Sequence, residues 1–261
     1  MNSTGRWKGI LHKLAELRNL DRQCQAFGAE VHRYELRPVL SPQELEWAEE
    51  ALGAALPEEL RTFYLEVGDG GAGPAYGLYP SGELNGYRPA HPYPGLEGLT
   101  QAALAAGWNP QEEECLRVPG ESMAGVAGIS DEGCGGETCL VLNGPQAGQL
   151  VHFSGDGYFA ETGKTLGQSY AAWLDEALRQ FRAVEAWMRA GATLQEIKAK
   201  LREQVDWVCD AGSMIASIAN VPKPVELFGD PRHGSRIVHG AIQTPWYEDV
   251  LSDWQERNLG G

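Results

Sequence analysis

The stretch Leu56–Gly71, LPEELRTFYLEVGDGG, decides how this chain is read. Leu60, Phe63, Tyr64 and Val67 recur at helical spacing after Pro57, so the stretch predicts a short amphipathic helix with one apolar face. Gly68-Asp69-Gly70-Gly71 follows at once. Such a turn either cradles a phosphate on its backbone N–H groups or permits positive φ and close backbone approach. The segment before it is a helix with a legible start. In Ser41-Pro42-Gln43-Glu44 the serine can cap free N–H groups, the proline suits the first turn, and Glu44 holds the reciprocal capping-box position. That helix carries Leu45, Ala48 and Leu52 on one face and stops at Gly53.

Outward from this core, Trp7, Ile10, Leu11, Leu14 and Leu17 predict an N-terminal amphipathic helix, and His32–Leu36 a short extended segment. From Gly68 to about Gly163 glycine and proline punctuate short apolar runs. Gly125–Ile129, Thr138–Leu142 and Gln149–Phe153 read as consecutive antiparallel strands, with Asn143-Gly144 and Ser154–Gly157 as turns. Helix returns at Ser169 with Trp173, Leu174, Leu178 and Phe181. Thr193-Leu-Gln-Glu196 is a second capping box, opening a helix that carries Leu194, Ile197, Leu201, Val205 and Val208. The last fifty residues predict a loop, a strand near Arg236–Ile242 and a closing helix after Pro245 that contains Trp254.

The net charge of −15 is unevenly distributed. Residues 41–160 carry three Lys/Arg against eighteen Asp/Glu, whereas residues 1–40 carry seven against four. An acidic segment of this kind repels nucleic acid and anionic lipid, and it either attracts a basic partner at long range or simply keeps the protein soluble. No apolar run reaches membrane-spanning length, and the N-terminus lacks a cleavage site of the secretory kind. Five cysteines without a CxxC fit free thiols in a reducing, cytoplasmic compartment.

Several catalytic signatures almost form, and each fails on spacing. Gly157-Tyr-Phe-Ala-Glu-Thr-Gly163-Lys164-Thr165 ends like a P-loop, but five residues, including Tyr158 and Phe159, separate glycines that the motif holds four apart. It reads as a hairpin turn leading into a helix. Gly120-Glu-Ser122-Met-Ala-Gly125 has its second glycine one place too far for a nucleophile elbow. Cys134 and Cys139, even with His152, His233 and His239 available, lack the tight pairs of a zinc site. The expectation is therefore no catalytic set, no metal and no cofactor.

Ser41-Pro-Gln-Glu-Leu to Gly53, then Leu56-Pro57, a short helix and Gly68-Asp-Gly-Gly-Ala-Gly-Pro-Ala-Tyr-Gly-Leu-Tyr79, resembles the N-terminal signature of the SUKH superfamily. That group includes the Smi–Knr cell-wall synthesis regulators of fungi and many bacterial immunity proteins. Gly125–Gly135, Leu140–Gly144, Gly148–Phe153 and the helix at Ser169–Leu178 resemble its later elements, so the likeness covers about residues 35–182. It implies an α+β fold, a mostly antiparallel sheet packed with helices, in which Gly68–Gly71 is a structural turn. The corresponding division is an N-terminal helical extension 1–34, a SUKH-like domain 35–182 and a mainly helical C-terminal extension 183–261.

The resemblance further implies a non-enzymatic immunity protein that binds a cognate contact-delivered toxin stoichiometrically. The toxin domain would be a nuclease or another enzyme with a basic cleft. A regulatory interaction scaffold with no toxin is the alternative, and a homodimer stays open. Because the family's motifs fix no interface, charge alone nominates Glu44, Asp69, Glu112, Glu113, Glu114, Asp131, Glu132 and Asp156 as partner-binding residues.

Overall fold

A computed structural model describes residues 3–109, 116–204, 210–221 and 243–260. Their helices are α1 (Ser3–Leu20), α2 (Ala29–His32), α3 (Pro42–Leu52), α4 (Glu58–Glu66), α5 (Gly95–Ala105), α6 (Leu166–Arg189), α7 (Leu194–Arg202), α8 (Ala211–Ala219) and α9 (Gln243–Leu259). Six strands form one antiparallel sheet: β1 (Asn85–Tyr87), β2 (Leu116–Arg117), β3 (Val126–Gly133), β4 (Gly136–Val141), β5 (Gln149–Ser154) and β6 (Tyr158–Thr165). The spatial order is β1-β3-β4-β5-β6-β2, a four-stranded meander flanked by two short strands that precede it in sequence. The fold is α+β, with helices at both chain ends.

The chain divides into two compact units. One comprises Met1–His12 and Val31–Trp173, the other Lys13–Glu30 and Leu174–Gly261.

In the first unit, alternation along the strands fills both faces of the sheet. Val126, Cys139, Val141, Val151, Phe153 and Phe159 cluster on one face with Leu99 of α5, Val118 and Met123. Ala127, Leu140 and Leu150, register partners of one another, are buried on the opposite face. The capping box at Ser41 and Glu44 forms as the sequence predicts, and Gly53 closes α3 at φ 78°. Trp7 of α1 packs edge-on against Phe63 and Tyr170, with ring centroids 5.1 and 6.2 Å away.

The glycine turn after α4 is a backbone crossing. A Cβ on Gly71 would lie 2.4 Å from the Glu35 carbonyl oxygen, and one on Gly77 would lie 2.4 Å from that of Gly71. Both residues have φ of 96°. Glycine therefore allows three segments to meet. Gly71 and Leu78 exchange N–H···O bonds of 2.9 and 2.8 Å, Ala72 N–H donates to Glu35 at 2.7 Å, and Tyr79 N–H donates to Ile129 at 2.8 Å. Single bridges Leu36–Gly71, Gly71–Leu78 and Leu78–Ser130 carry this ladder sideways onto β3. The N–H groups of Gly70, Gly71 and Ala72 bond to backbone oxygens, so they do not line a phosphate nest.

The described residues of the second unit are mainly helical. Asp21 is fully buried and caps the turn after α1, accepting from the N–H groups of Gln25 and Ala26 at 2.8 Å each and from the Ser217 hydroxyl of α8. Residues 211–218 of α8 are all buried. The Thr193–Glu196 capping box opens α7.

Three sequence expectations are corrected. Gly157–Thr165 is not a turn entering a helix. Tyr158–Thr165 is strand β6, and its register shift against β5 accommodates Gly163 at φ 64°. His32–Leu36 is not extended: Arg33 and Tyr34 have φ of 49° and 58°, a turn held by His32 Nδ1 accepting the Tyr34 N–H at 3.0 Å. The helix expected from Ser169 begins three residues earlier, at Leu166. The expected strand near Arg236–Ile242, with Val205 and Val208, falls outside the described residues.

A graded set of alanine substitutions tests the crossing. Gly82 has an ordinary φ and open space, Gly144 has φ of 81° in open space, and Gly71 has both a positive φ and a backbone oxygen at 2.4 Å. In urea unfolding, Gly82→Ala should change stability by less than about 0.5 kcal/mol and Gly144→Ala should lose about 1. Gly71→Ala should lose about 3 kcal/mol or more. Equal losses at all three would show that the crossing does not govern stability.

Candidate partner-binding surface

The charge-nominated acids differ in what their carboxylates already do. Glu44 accepts the Ser41 N–H at 2.7 Å, and the backbone and hydroxyl hydrogen bonds of Ser41 hold its carboxyl below the ordinary range. Asp69, half-buried, accepts the Ser81 N–H at 2.7 Å and lies 3.9 Å from Arg37. Asp131 accepts the Gly133 N–H at 2.7 Å and so shapes the β3–β4 turn. Glu132 meets His152 Nδ1 at 2.9 Å and accepts the Thr138 hydroxyl. Burial pushes its carboxyl up, but these two partners outweigh burial and hold it below the ordinary carboxylate range.

Asp156 is exposed, and its carboxylate has no partner among the described residues. Gly155 N–H donates to the Gly135 carbonyl at 2.9 Å, which sets the β5–β6 and β3–β4 tips side by side. Asp131, Glu132 and Asp156 thus share one end of the sheet, while Glu44 sits on α3 and Asp69 in the glycine crossing. Glu112, Glu113 and Glu114 fall outside the described residues.

Two carboxylates that charge counting overlooked stand on the core-facing side of the sheet. Register puts Glu137, Phe153 and Phe159 in one row and Cys139, Val151 and Glu161 in the next. Glu137 accepts from the Tyr87 hydroxyl at 2.7 Å, the Asn85 amide at 3.2 Å and the Tyr79 hydroxyl at 3.4 Å. It lies over Gly128, where a Cβ would come within 2.6 Å of the carboxyl group. Glu161 accepts from the Gln146 amide at 3.0 Å and the Tyr93 hydroxyl at 3.3 Å. No Lys, Arg or His among the described residues pairs with either carboxylate. The visible signal was phase: Glu137 alternates in step with Cys139 and Val141, so it had to share their face.

Beside Glu161 the surface encloses a cavity of about 250 Å³, lined by Val141, Pro145, Gln146, Gln149, Leu150, Val151, Glu161 and Gly163. All three arginines of residues 41–160 are engaged locally. Arg61 pairs with Glu49 between α3 and α4. Arg88 donates to the Glu121 carbonyl at 3.1 Å. Arg117 lies over the rings of Trp108 and Tyr158, at 4.9 and 5.3 Å, and donates to the Asp156 carbonyl.

The near-catalytic residues do not converge. Ser122 ends a single 3₁₀ turn, Gly120–Ser122, ahead of β3, rather than topping a strand-to-helix elbow. Lys164 is exposed on β6. Cys139 is buried, and that burial pushes its thiol far above the usual range, so it stays neutral; Cys134 is exposed at φ 52°. His233 and His239 fall outside the described residues. Among the described residues no group of three His, Cys, Asp or Glu could hold a metal ion, and no helix is long and apolar enough to cross a membrane.

The tyrosine environments make a measurable statement. Burial first, then the Glu137 charge, pushes the Tyr79 phenol up to about 12, and Tyr87 higher still. Tyr93 is raised by burial and then Glu161, Tyr64 by burial and then Asp69, and Tyr170 by burial. In an ultraviolet titration of the folded protein, these five of the nine tyrosines should remain protonated at about pH 11. Glu137→Gln should lower the onset for Tyr79 and Tyr87 only partly, because burial is the larger cause. Ionisation of all nine near pH 10 with the fold intact would contradict this arrangement.

No curated protein sequence matches this chain. The family model described as SMI1 / KNR4 family (SUKH-1) matches residues 39–176, which run from the approach to α3 through the glycine crossing and the whole described meander into α6. The sequence signature, the glycine-dependent crossing and the antiparallel sheet thus meet over more than half of the chain, and the chain belongs to the SMI1/KNR4 (SUKH-1) family.

Proposed function

We propose that this chain is an immunity protein: it binds a cognate toxin domain one to one, occludes a basic surface that the toxin needs, and turns nothing over. The family, generally associated with toxin immunity and not with catalysis, supports this reading. The observation that carries the reading is the charge of residues 41–160. Eighteen acids face three arginines, and all three arginines are already engaged within the unit. Residues 41–160 hold no further Lys or Arg to neutralise the remaining acids. A basic nuclease-type cleft supplies the missing cations, and long-range attraction accelerates its encounter with the acidic unit. The exposed acids at the paired hairpin tips act in that encounter, and the binding takes place in the cytoplasm of the protected cell.

Affinity capture of the tagged full chain from its native cell, with mass spectrometry, tests the proposal. The expected catch is a large secreted protein with a small C-terminal toxin domain, whose activity is abolished by one equivalent of this chain. Recovery of housekeeping proteins alone, or an unimpaired toxin, would overturn it. Asp156→Lys is the cleanest charge reversal, since that carboxylate has no structural partner among the described residues. It should slow association about two- to tenfold at low salt, leave the unfolding midpoint unchanged, and lose its effect as salt rises.

A further inference from the structure

The cavity beside Glu161 has a definite chemistry. Val141, Val151 and Pro145 line one part of it, and Gln146, Gln149 and Glu161 bring polar groups into the rest of its lining. At about 250 Å³ it falls below the usual range for small-molecule and cofactor sites, roughly 300–1,000 Å³, which fits a single side chain better than a nucleotide. Glu161 is exposed and therefore reachable from solvent. Its carboxylate is nonetheless held in place by the Gln146 amide and the Tyr93 hydroxyl, the latter on a residue only 9% exposed. Both donors are neutral, so neither is a counter-ion to the carboxylate. Gln146 uses its Nε2 on Glu161, which leaves its Oε1 as a further acceptor. Gly163 lines the cavity without a side chain to obstruct it.

We propose that this cavity seats an arginine side chain of the bound partner, the guanidinium on the Glu161 carboxylate and the methylene stem against Pro145, Val141 and Val151. The inference rests on the immunity reading for its partner, and on the cavity alone for its chemistry. Arginine suits the site better than lysine. Its planar fork meets a carboxylate with two parallel N–H···O bonds and has further N–H groups for the Gln146 oxygen. Its aliphatic stem gains from apolar walls while the head stays polar. Because Glu161 is already oriented by its two donors, little ordering accompanies binding. The occupant is thus a directional anchor on the partner, distinct in kind from the diffuse attraction of the exposed acids.

The test uses the full chain and n-butylguanidinium, which copies the arginine stem and head. In ¹⁵N-resolved NMR titrations, shifts should concentrate in residues 141–151 and 161–163 and reach half-saturation at about 1–10 mM, as expected for a fragment of this size. Neutral n-butylurea, of similar shape, should bind at least tenfold more weakly. Glu161→Gln keeps the side-chain shape, and should weaken butylguanidinium at least tenfold without moving the unfolding midpoint. Equal binding of the two probes, an unchanged titration in Glu161→Gln, or shifts centred elsewhere would each overturn the proposed site.

With a captured toxin in hand, Glu161→Gln should raise the dissociation rate at least tenfold while leaving association nearly unchanged. An unaffected dissociation rate would overturn the arginine's role in the complex. Failure to capture any toxin would count against the immunity reading, and the butylguanidinium titration would still decide the cavity.

Discussion

The first unit depends on a place where a side chain cannot exist. At Gly71 three backbone segments approach so closely that a single Cβ would collide with the Glu35 carbonyl. From that approach follows a lateral row of bridges, Leu36 to Gly71 to Leu78 to Ser130, which ties the segment before α3 to strand β3. The helices fix on the same spot. Tyr64 of α4 donates its hydroxyl to the Tyr79 carbonyl at 3.1 Å, and Tyr170 of α6 donates to the Ala72 carbonyl at 2.7 Å. Each buried phenol satisfies itself on a carbonyl beside the crossing, so α4 and α6 are held by hydrogen bonds that stay favourable only while the glycines let the backbones meet. What looked from the sequence like a possible ligand loop has its N–H groups committed to architecture.

How legible this was depended on the range of the interaction. Capping boxes act over three residues, and those at Ser41 and Thr193 were readable because donor, acceptor and spacing lie within one turn. The meander from β3 to β5 was readable because apolar runs and glycine turns alternate locally. Strand β6 was missed because Ala160, Glu161, Thr162, Gly163 and Lys164 carry little apolar pattern, and only pairing with β5 makes them a strand. The left-handed turn at Arg33 and Tyr34 escaped because its cause is the His32 ring, itself seated edge-on against Trp173, far away in sequence. Helix α5 hid in a glycine- and proline-rich stretch, and Leu99 owes its burial to the sheet face rather than to local pattern.

The candidate surface was less legible for a related reason. Counting charges finds acids, but it cannot tell which carboxylates are committed to their own backbone. Glu44, Asp69 and Asp131 each accept a main-chain N–H, so part of their charge does local work at a helix start or a turn. Glu137 and Glu161 sit singly in strands and attract no notice in a charge count. Their meaning appears only across strands, where register places them on an apolar face beside tyrosine hydroxyls.

On the immunity reading, these two kinds of carboxylate would make different contributions to recognition. An exposed acid such as Asp156 acts through distance: its field reaches about a Debye length, fades with salt, and changes how often partners meet rather than how long they stay. A carboxylate held by neutral donors against a protein wall acts through contact. Its orientation is fixed before binding, its surroundings are less polar than water, and an arriving cation replaces solvent rather than another protein group. The acidic unit contains both, with the diffuse charge at its hairpin tips and the directed charge on its sheet face. A partner with a generally basic surface would satisfy only the first. One that also presents an arginine in the right place would satisfy the second, so discrimination between similar basic partners would then rest on Glu161 and its cavity rather than on the net charge.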